Sequence, residues 1–221
     1  MYDRRLKGRT LRFGHEGMLY LDSFVMYDHQ TDSLWVHVTG EAFHGPLKGE
    51  KLRFIPSTVT TWEKWKEQHP QSLVLPGRRR ETFMGTYDGM TQTRNLGLAI
   101  IVRFQPKLYP FDILVRSPLV HDTVHGSPVL VVYAHKERTA TAWSRKLGDR
   151  ILSFTWAEAS DAFGNRLLRD QDTGSVWSWL TGEAVSGPLQ GTRLPQLTYN
   201  PILNDRFKVF YPGAPIYTET N

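Results

Sequence analysis

The chain is predicted to be mainly β, a β-rich α+β fold built from two internally duplicated β units, each with one short helix, packed into one assembly. Three observations predict it. Residues 33–49, SLWVHVTGEAFHGPLKG, return at an offset of 142 as SVWSWLTGEAVSGPLQG (175–191), with ten of seventeen positions identical. Short apolar runs are bounded by turns rich in Gly, Pro and Asp, which is the pattern of strands. Hydrophobic residues make up 40% of the 221 positions and charged ones 22%, so the chain has the material for a core.

Taken along the chain, the repeat extends beyond its most obvious phrase. GRTLRF (8–13) aligns with GDRILSF (148–154) after a one-residue slip, and MYDHQTDSLW (26–35) aligns with LRDQDTGSVW (168–177). KLRFIP (51–56) follows RLPQLT (193–198), and WKEQHPQSLVL (65–75) follows FKVFYPGAPIY (207–217). HQTD and QDTG are tight turns in which Asp32 and Gly174 take the left-handed position. Glycines shared by both copies, such as Gly40/Gly182 and Gly45/Gly187, serve turns that need positive φ.

Each copy is then given one helix. In the first, Thr60 with Glu63 resembles a capping box and Pro70 stops the helix. Trp62 and Trp65 lie three apart and are assigned to the core. In the second, Asn200 is the N-cap, Pro201 the first helical residue and Pro212 the stop. Between the copies, Val129–Tyr133 and Thr139–Trp143 read as strands. The divisions are residues 1–75 for a first unit lacking its leading strands, 76–96 for a connector, and 97–221 for a complete second unit. The open sheet edge expected of the first unit would be covered by a second copy of the chain or by a preceding segment.

Composition narrows the function classes. The absence of Cys excludes disulfides, thiolate metal sites and a Cys nucleophile. The longest apolar run, LAIIV (98–102), is far below the roughly 20 residues of a membrane span, and no apolar stretch follows the basic N-terminus as in a signal peptide. The net charge of +5 gathers in RRLKGR (4–9) and GRRR (77–80), without the interleaved aromatics of a nucleic-acid surface. Solvated loops are the simpler reading, and a weak nucleic-acid binder acting through Arg78–Arg80 and the basic N-terminal arm is a second alternative.

Several phrases together resemble a prokaryotic family, the domain of unknown function numbered 3179. MYDHQTDSLW, TGEAFHGPLKG, TTWEKWKEQHP and SLVL carry the resemblance in the first unit; LYP, HDTV and TGSVW…TGEAVSGPL carry it in the second. The resemblance implies a His-Glu-x-x-Asn-Asp phrase and a Cys-Pro-x-Cys-Gly phrase, a combination that looks like a metal or redox site. Here Ser117, Pro118, Ala134 and Glu137 stand at those positions. Similar proteins often bear export signals, which implies an extracytoplasmic home. His121 and His125 replace family residues in what reads as a structural loop.

Where the two copies differ, something beyond the shared fold selects the residue. His15, His37 and His44 face Trp156, Trp179 and Ser186 in the alignment, and with Glu41 they form a candidate site for a divalent transition metal. Trp35, Trp177 and Trp179 are candidate ligand-binding aromatics. Glu41 and Glu183, shared by both copies, are expected to accept backbone N–H bonds beside their turn. Glu16 with Asp22, and Glu158 with Asp161, are loop acids with an acid–base alternative. No Gly-x-Ser-x-Gly elbow and no phosphate-cradling loop occurs. The leading expectation is a non-catalytic binding or scaffold protein, and the first alternative is a metal-dependent enzyme using the three histidines.

Overall fold

A computed structural model describes residues 1–74, 95–135 and 139–219. By its internal contacts the chain divides into two units, Met1–Ser57 with Asp205–Ala214 and Thr58–Asn204 with Pro215–Asn221. The described residues are β-rich, with three short helices at Trp62–Gln68, Phe111–Leu114 and Asn204–Phe210.

Each unit contains a four-stranded antiparallel sheet whose strands neighbour one another in sequence order. In unit one these are Phe13–Tyr20, Ser23–Asp28, Leu34–Val36 and Ala42–His44; in unit two, Phe154–Ser160, Arg166–Asp170, Val176–Trp177 and Ala184–Ser186. Irregularities fall at matching places, between His15 and Leu19 and between Trp156 and Ser160. A two-residue hairpin precedes each sheet, Arg5–Leu6 with Arg9–Thr10 and Lys146–Leu147 with Arg150–Ile151.

The repeated phrase explains this likeness chemically. Asp28 is fully buried; its carboxylate accepts bonds from the Thr31 amide (2.7 Å), the Thr31 hydroxyl (2.9 Å) and the Trp35 indole N–H (2.9 Å). Asp170 does the same with the Thr173 amide, the Thr173 hydroxyl (2.9 Å) and the Trp177 indole (2.8 Å). Ser33 and Ser175 extend each network by accepting from the amides of Leu47 and Leu189 at 3.0 and 3.1 Å. Phe13 and Phe154 stand edge-on to the two indoles, with centroids 5.7 and 5.9 Å away. A buried charge persists only when its lone pairs are satisfied, so Asp, Thr, Ser and Trp recur as a set. The tight turns take their left-handed residues where expected, Asp32 at φ 53° and Gly174 at φ 75°.

Gly40 and Gly182 show why the shared glycines recur. Both have positive φ, 67° and 70°; a Cβ would lie 2.4 Å from the Tyr2 ring at one and 2.5 Å from the Trp143 ring at the other. Tyr2 and Trp143 are thus equivalent side chains. Tyr2 donates to the His37 carbonyl (2.6 Å), and the Trp143 indole donates to that of Trp179 (2.8 Å).

Unit two holds two further sheets. Leu96–Val102 lies between Gln105–Pro110 and Thr198–Leu203, and Ser127–Ala134 lies between Leu119–Val124 and Thr139–Ser144. Successive side chains of Ser127–Ala134 enter different cores. Val129, Val131 and Tyr133 pack with Leu98, Ile100 and Tyr109; Leu130 and Val132 pack with Trp143, Phe154 and Trp177. Period-two alternation with both faces buried explains why PVLVVY is apolar throughout. The strands expected at 129–133 and 139–143 are present, slightly extended.

Three local expectations are corrected. Pro201 starts no helix; it sits in Thr198–Leu203 opposite Leu98, on an edge strand where a missing N–H costs no ladder bond. The second helix begins at Asn204, with Asp205 in its first turn and Lys208 in its last, the charges that suit those ends. The first helix, Trp62–Gln68, is capped by Thr61, whose hydroxyl accepts from the Lys64 amide at 3.3 Å, so Glu63 cannot close a capping box. The Thr60 hydroxyl bonds Thr139 instead, at 3.0 Å. Finally, Trp62 and Trp65 are not core residues; they are 49% and 42% exposed.

Two tests follow from the buried network and its glycines. Burial opposes the Asp170 charge, but bonds from Trp177 and Thr173 outweigh it and hold the carboxyl below its ordinary range. Asp170→Asn is expected to cost about 2 kcal/mol at neutral pH in urea unfolding. A depressed folded pKa gives stability that is present above the unfolded value, about 3.9, and is lost as pH falls through the folded one. The gap between wild type and variant therefore narrows below about pH 4; a constant gap down to pH 2 would contradict the charged network. Gly182→Ala should cost at least about 2 kcal/mol, from left-handed strain and displacement of Trp143. Gly191→Ala, at φ 82° with open space around it, should cost only about 1 kcal/mol, and equal losses would refute the packing role.

Candidate functional site

The exposed Trp65 leads to a cavity of about 180 Å³ within unit two. One wall is the helix Trp62–Gln68 with His69, which caps its end. Trp65 and His69 lie one helical turn apart, so their rings meet, with centroids 4.0 Å apart and planes at 35°. The Trp65 indole N–H is bound to Ser72 Oγ at 2.8 Å, which fixes the ring and leaves its face as the free feature.

The sheets of unit two form the other walls. Trp143 comes from Thr139–Ser144, held by its bond to the Trp179 carbonyl, and Leu180 and Thr181 follow in the next turn. Gln196 lies opposite Trp143 in an isolated bridge, and its amide donates to Thr58 Oγ1 at 2.9 Å. The same oxygen accepts from Tyr199 Oη at 3.1 Å. Two cations reach the rim, each already paired. Lys64 bonds Glu67 at 3.0 Å, and Glu67 also lies within 3.4 Å of Asn165; Arg193 bonds Glu183 through Nε at 3.0 Å.

The equivalent positions of unit one are filled by rings. At the 142-residue offset, Phe207 stands for Trp65, Tyr211 for His69 and Phe54 for Gln196; ahead of the one-residue slip, at an offset of 141, Tyr2 stands for Trp143. Phe207 is 0% exposed where Trp65 is 42% exposed. Tyr2 packs on Phe54 with centroids 4.6 Å apart, and the Tyr2 and Tyr211 hydroxyls both donate to the Val38 carbonyl, at 3.0 and 3.4 Å. Burial raises the Tyr211 phenol to about 12, with Glu41 adding to the rise. The same frame therefore carries a buried ring, Phe207, in one unit and a half-exposed ring beside a cavity, Trp65, in the other.

The residues singled out from sequence lie elsewhere. Trp35, Trp177 and Trp179 are buried, at 0%, 1% and 4% exposure, so their rings serve packing and offer no face to a ligand. His15 stacks on Phe24 (4.5 Å, 3°), and His37 stands edge-on to the same ring at 5.8 Å. Burial, and then the N-terminal ammonium, lowers the His37 pKa. His44 is on Ala42–His44 opposite Leu34, and Glu41 is paired with Lys51 at 2.9 Å. Among the described residues no three His, Asp or Glu side chains converge as a metal set. Glu41 and Glu183 bind the side chains of Lys51 and Arg193 rather than backbone amides, because each pair faces across an isolated bridge.

His121 is in a strand, not a loop. Its Nε2 accepts from the Phe154 amide at 2.9 Å, and burial lowers its pKa. Beside it, Asp122 accepts from Lys107 and Tyr109, each at 2.6 Å. At the position where the family resemblance implies a His, Ser117 donates to Glu219 at 2.6 Å. Asp161 folds its own loop by accepting from the amides of Phe163 and Asn165, and Asp22 pairs with Arg206 at 2.8 Å. In the N-terminal basic run, Arg5 pairs with Asp3 and Lys7 with Glu50. Arg78–Arg80, Glu137 and nearly all of the expected connector lie outside the described residues. No helix among the described residues is long and apolar enough to cross a membrane.

Comparison with curated proteins and with solved structures gives no match. One family model matches twice, over residues 1–100 and again over 86–221, which follows the two copies of the repeated phrase. The chain belongs to the family described as protein of unknown function (DUF3179).

Proposed function

We propose that this chain is a non-catalytic binding protein whose second unit holds a small molecule in the cavity beside Trp65. One observation carries the reading: a frame that carries Phe207, Tyr211 and Phe54 in unit one, with Phe207 fully buried, has Trp65, His69 and Gln196 in unit two, with about 180 Å³ between its walls. Large aromatic rings are kept from water when a fold has apolar surface to offer them. A half-exposed indole, fixed through its N–H and lining a polar-rimmed hollow, is the kind of surface that ligand sites use. Duplication followed by divergence of these residues accounts for both versions.

Size limits the ligand. An engineered cavity of roughly 150 Å³ holds one benzene ring, so this one suits a single ring or a group of that bulk. At about 0.3 kcal/mol per heavy atom, a ligand of about 12 atoms would bind with a Kd of about 2 mM. A library of neutral one-ring fragments, screened by ligand-observed NMR, is expected to give saturable hits of that order. Trp65→Ala should weaken them at least tenfold while leaving thermal unfolding within a few degrees, because the ring is half exposed. Hits that persist undiminished in Trp65→Ala would remove the cavity from consideration.

A further inference from the structure

We infer that the ligand of the unit-two cavity is a neutral sugar ring stacked on Trp65; this rests on the reading that the cavity binds a small molecule. The walls first argue against an anion. Lys64 and Arg193, the cations at the rim, are already bonded to Glu67 and Glu183. A carboxylate or phosphate would find no cation there whose charge is not already balanced.

Trp65 offers a face and not an N–H group, while Trp143 is buried. The indole N–H of Trp65 is taken by Ser72, and that of Trp143 by the Trp179 carbonyl. His69 covers one side of the Trp65 ring, so a single indole face remains. An indole face is electron-rich and attracts weakly positive edges or C–H groups. A pyranose presents such C–H groups on one side of its ring.

The remaining polar groups are neutral and of mixed sense. Thr58 Oγ1 accepts from both Gln196 and Tyr199, so its lone pairs are used and its proton is left to donate. The Gln196 side-chain carbonyl is left to accept. The Thr181 hydroxyl accepts from the Glu183 amide at 3.4 Å and keeps its proton. Hydroxyl groups both donate and accept, so a ring edged with them fits donors and acceptors side by side. A nucleobase is the rival that also stacks, but its edge has fixed donors and acceptors, and a flat base gains most from two plates where only one is open.

The test uses the full chain with methyl glucoside, galactoside and mannoside, and with adenosine and benzoate as the competing chemistries. Saturation-transfer NMR gives the contact epitope, and tryptophan fluorescence gives the affinity. At least one methyl glycoside should bind saturably, with its ring C–H protons receiving the most saturation. Its affinity should fall at least tenfold in Trp65→Ala and in Gln196→Phe, which places the unit-one residue in the hollow. If one variant fails to fold by circular dichroism, the other decides. Binding of adenosine or benzoate alone, lost in the same variants, overturns the sugar assignment and leaves the cavity reading standing. Glycoside binding that both variants keep overturns the sugar assignment at this site. Absence of saturable binding by any probe overturns both.

Discussion

A buried carboxylate holding an indole N–H is the constraint on which both sheets depend. Asp28 with Trp35 and Asp170 with Trp177 set the turn between two strands, anchor the largest ring of the local core and, through Ser33 and Ser175, tie in the following turn. Such a network is costly when incomplete, since each orphaned donor or acceptor carries its desolvation penalty. Its members therefore reappear together, residue for residue, while the strands around them change freely.

On that constant frame the two units differ in what fills the space between helix and sheet. Unit one takes its helix from residues after the last strand of unit two, and unit two contains the helix that follows the first sheet in sequence. Helix positions are equivalent, Trp62–Gln68 and Asn204–Phe210, yet Phe207 is sealed and Trp65 is not. Exchanging Tyr for His, and Phe for Gln, removes ring volume and introduces hydrogen-bonding groups. The hollow of unit two is open to solvent along the half-exposed Trp65, so water can fill it without the loss that an empty interior void would carry.

Several polar groups that are candidates for chemistry in the sequence make local structural bonds. His121 accepts a strand amide, Asp122 gathers a lysine and a tyrosine, and Ser117 meets Glu219, at or beside positions where the family resemblance implies metal or redox chemistry. His15 and His37 pack against Phe24 from different directions, as aromatic rings do when they share a sheet face.

By itself, the sequence determined the elements whose causes are local. Alternation and turn residues specify strands, and an offset of 142 specifies two like sheets; the Asp-x-x-Thr-x-Ser-x-Trp spacing stands in both copies, but only the fold shows it as a buried network, since Trp35 and Trp177 read in sequence as ligand-binding aromatics. The contrast that marks the cavity was also present, in the alignment of WKEQHPQSLVL with FKVFYPGAPIY, but Trp65 opposite Phe207 reads as one core ring replaced by another. Only tertiary structure decided that one is buried and the other exposed, because burial depends on which distant strands face the helix. The same holds for Pro201, whose place on an edge strand is fixed by pairing with Leu98 about a hundred residues earlier in the chain. Local propensity is written in neighbouring residues, whereas the filling of a cavity is set by side chains that only the completed fold brings together.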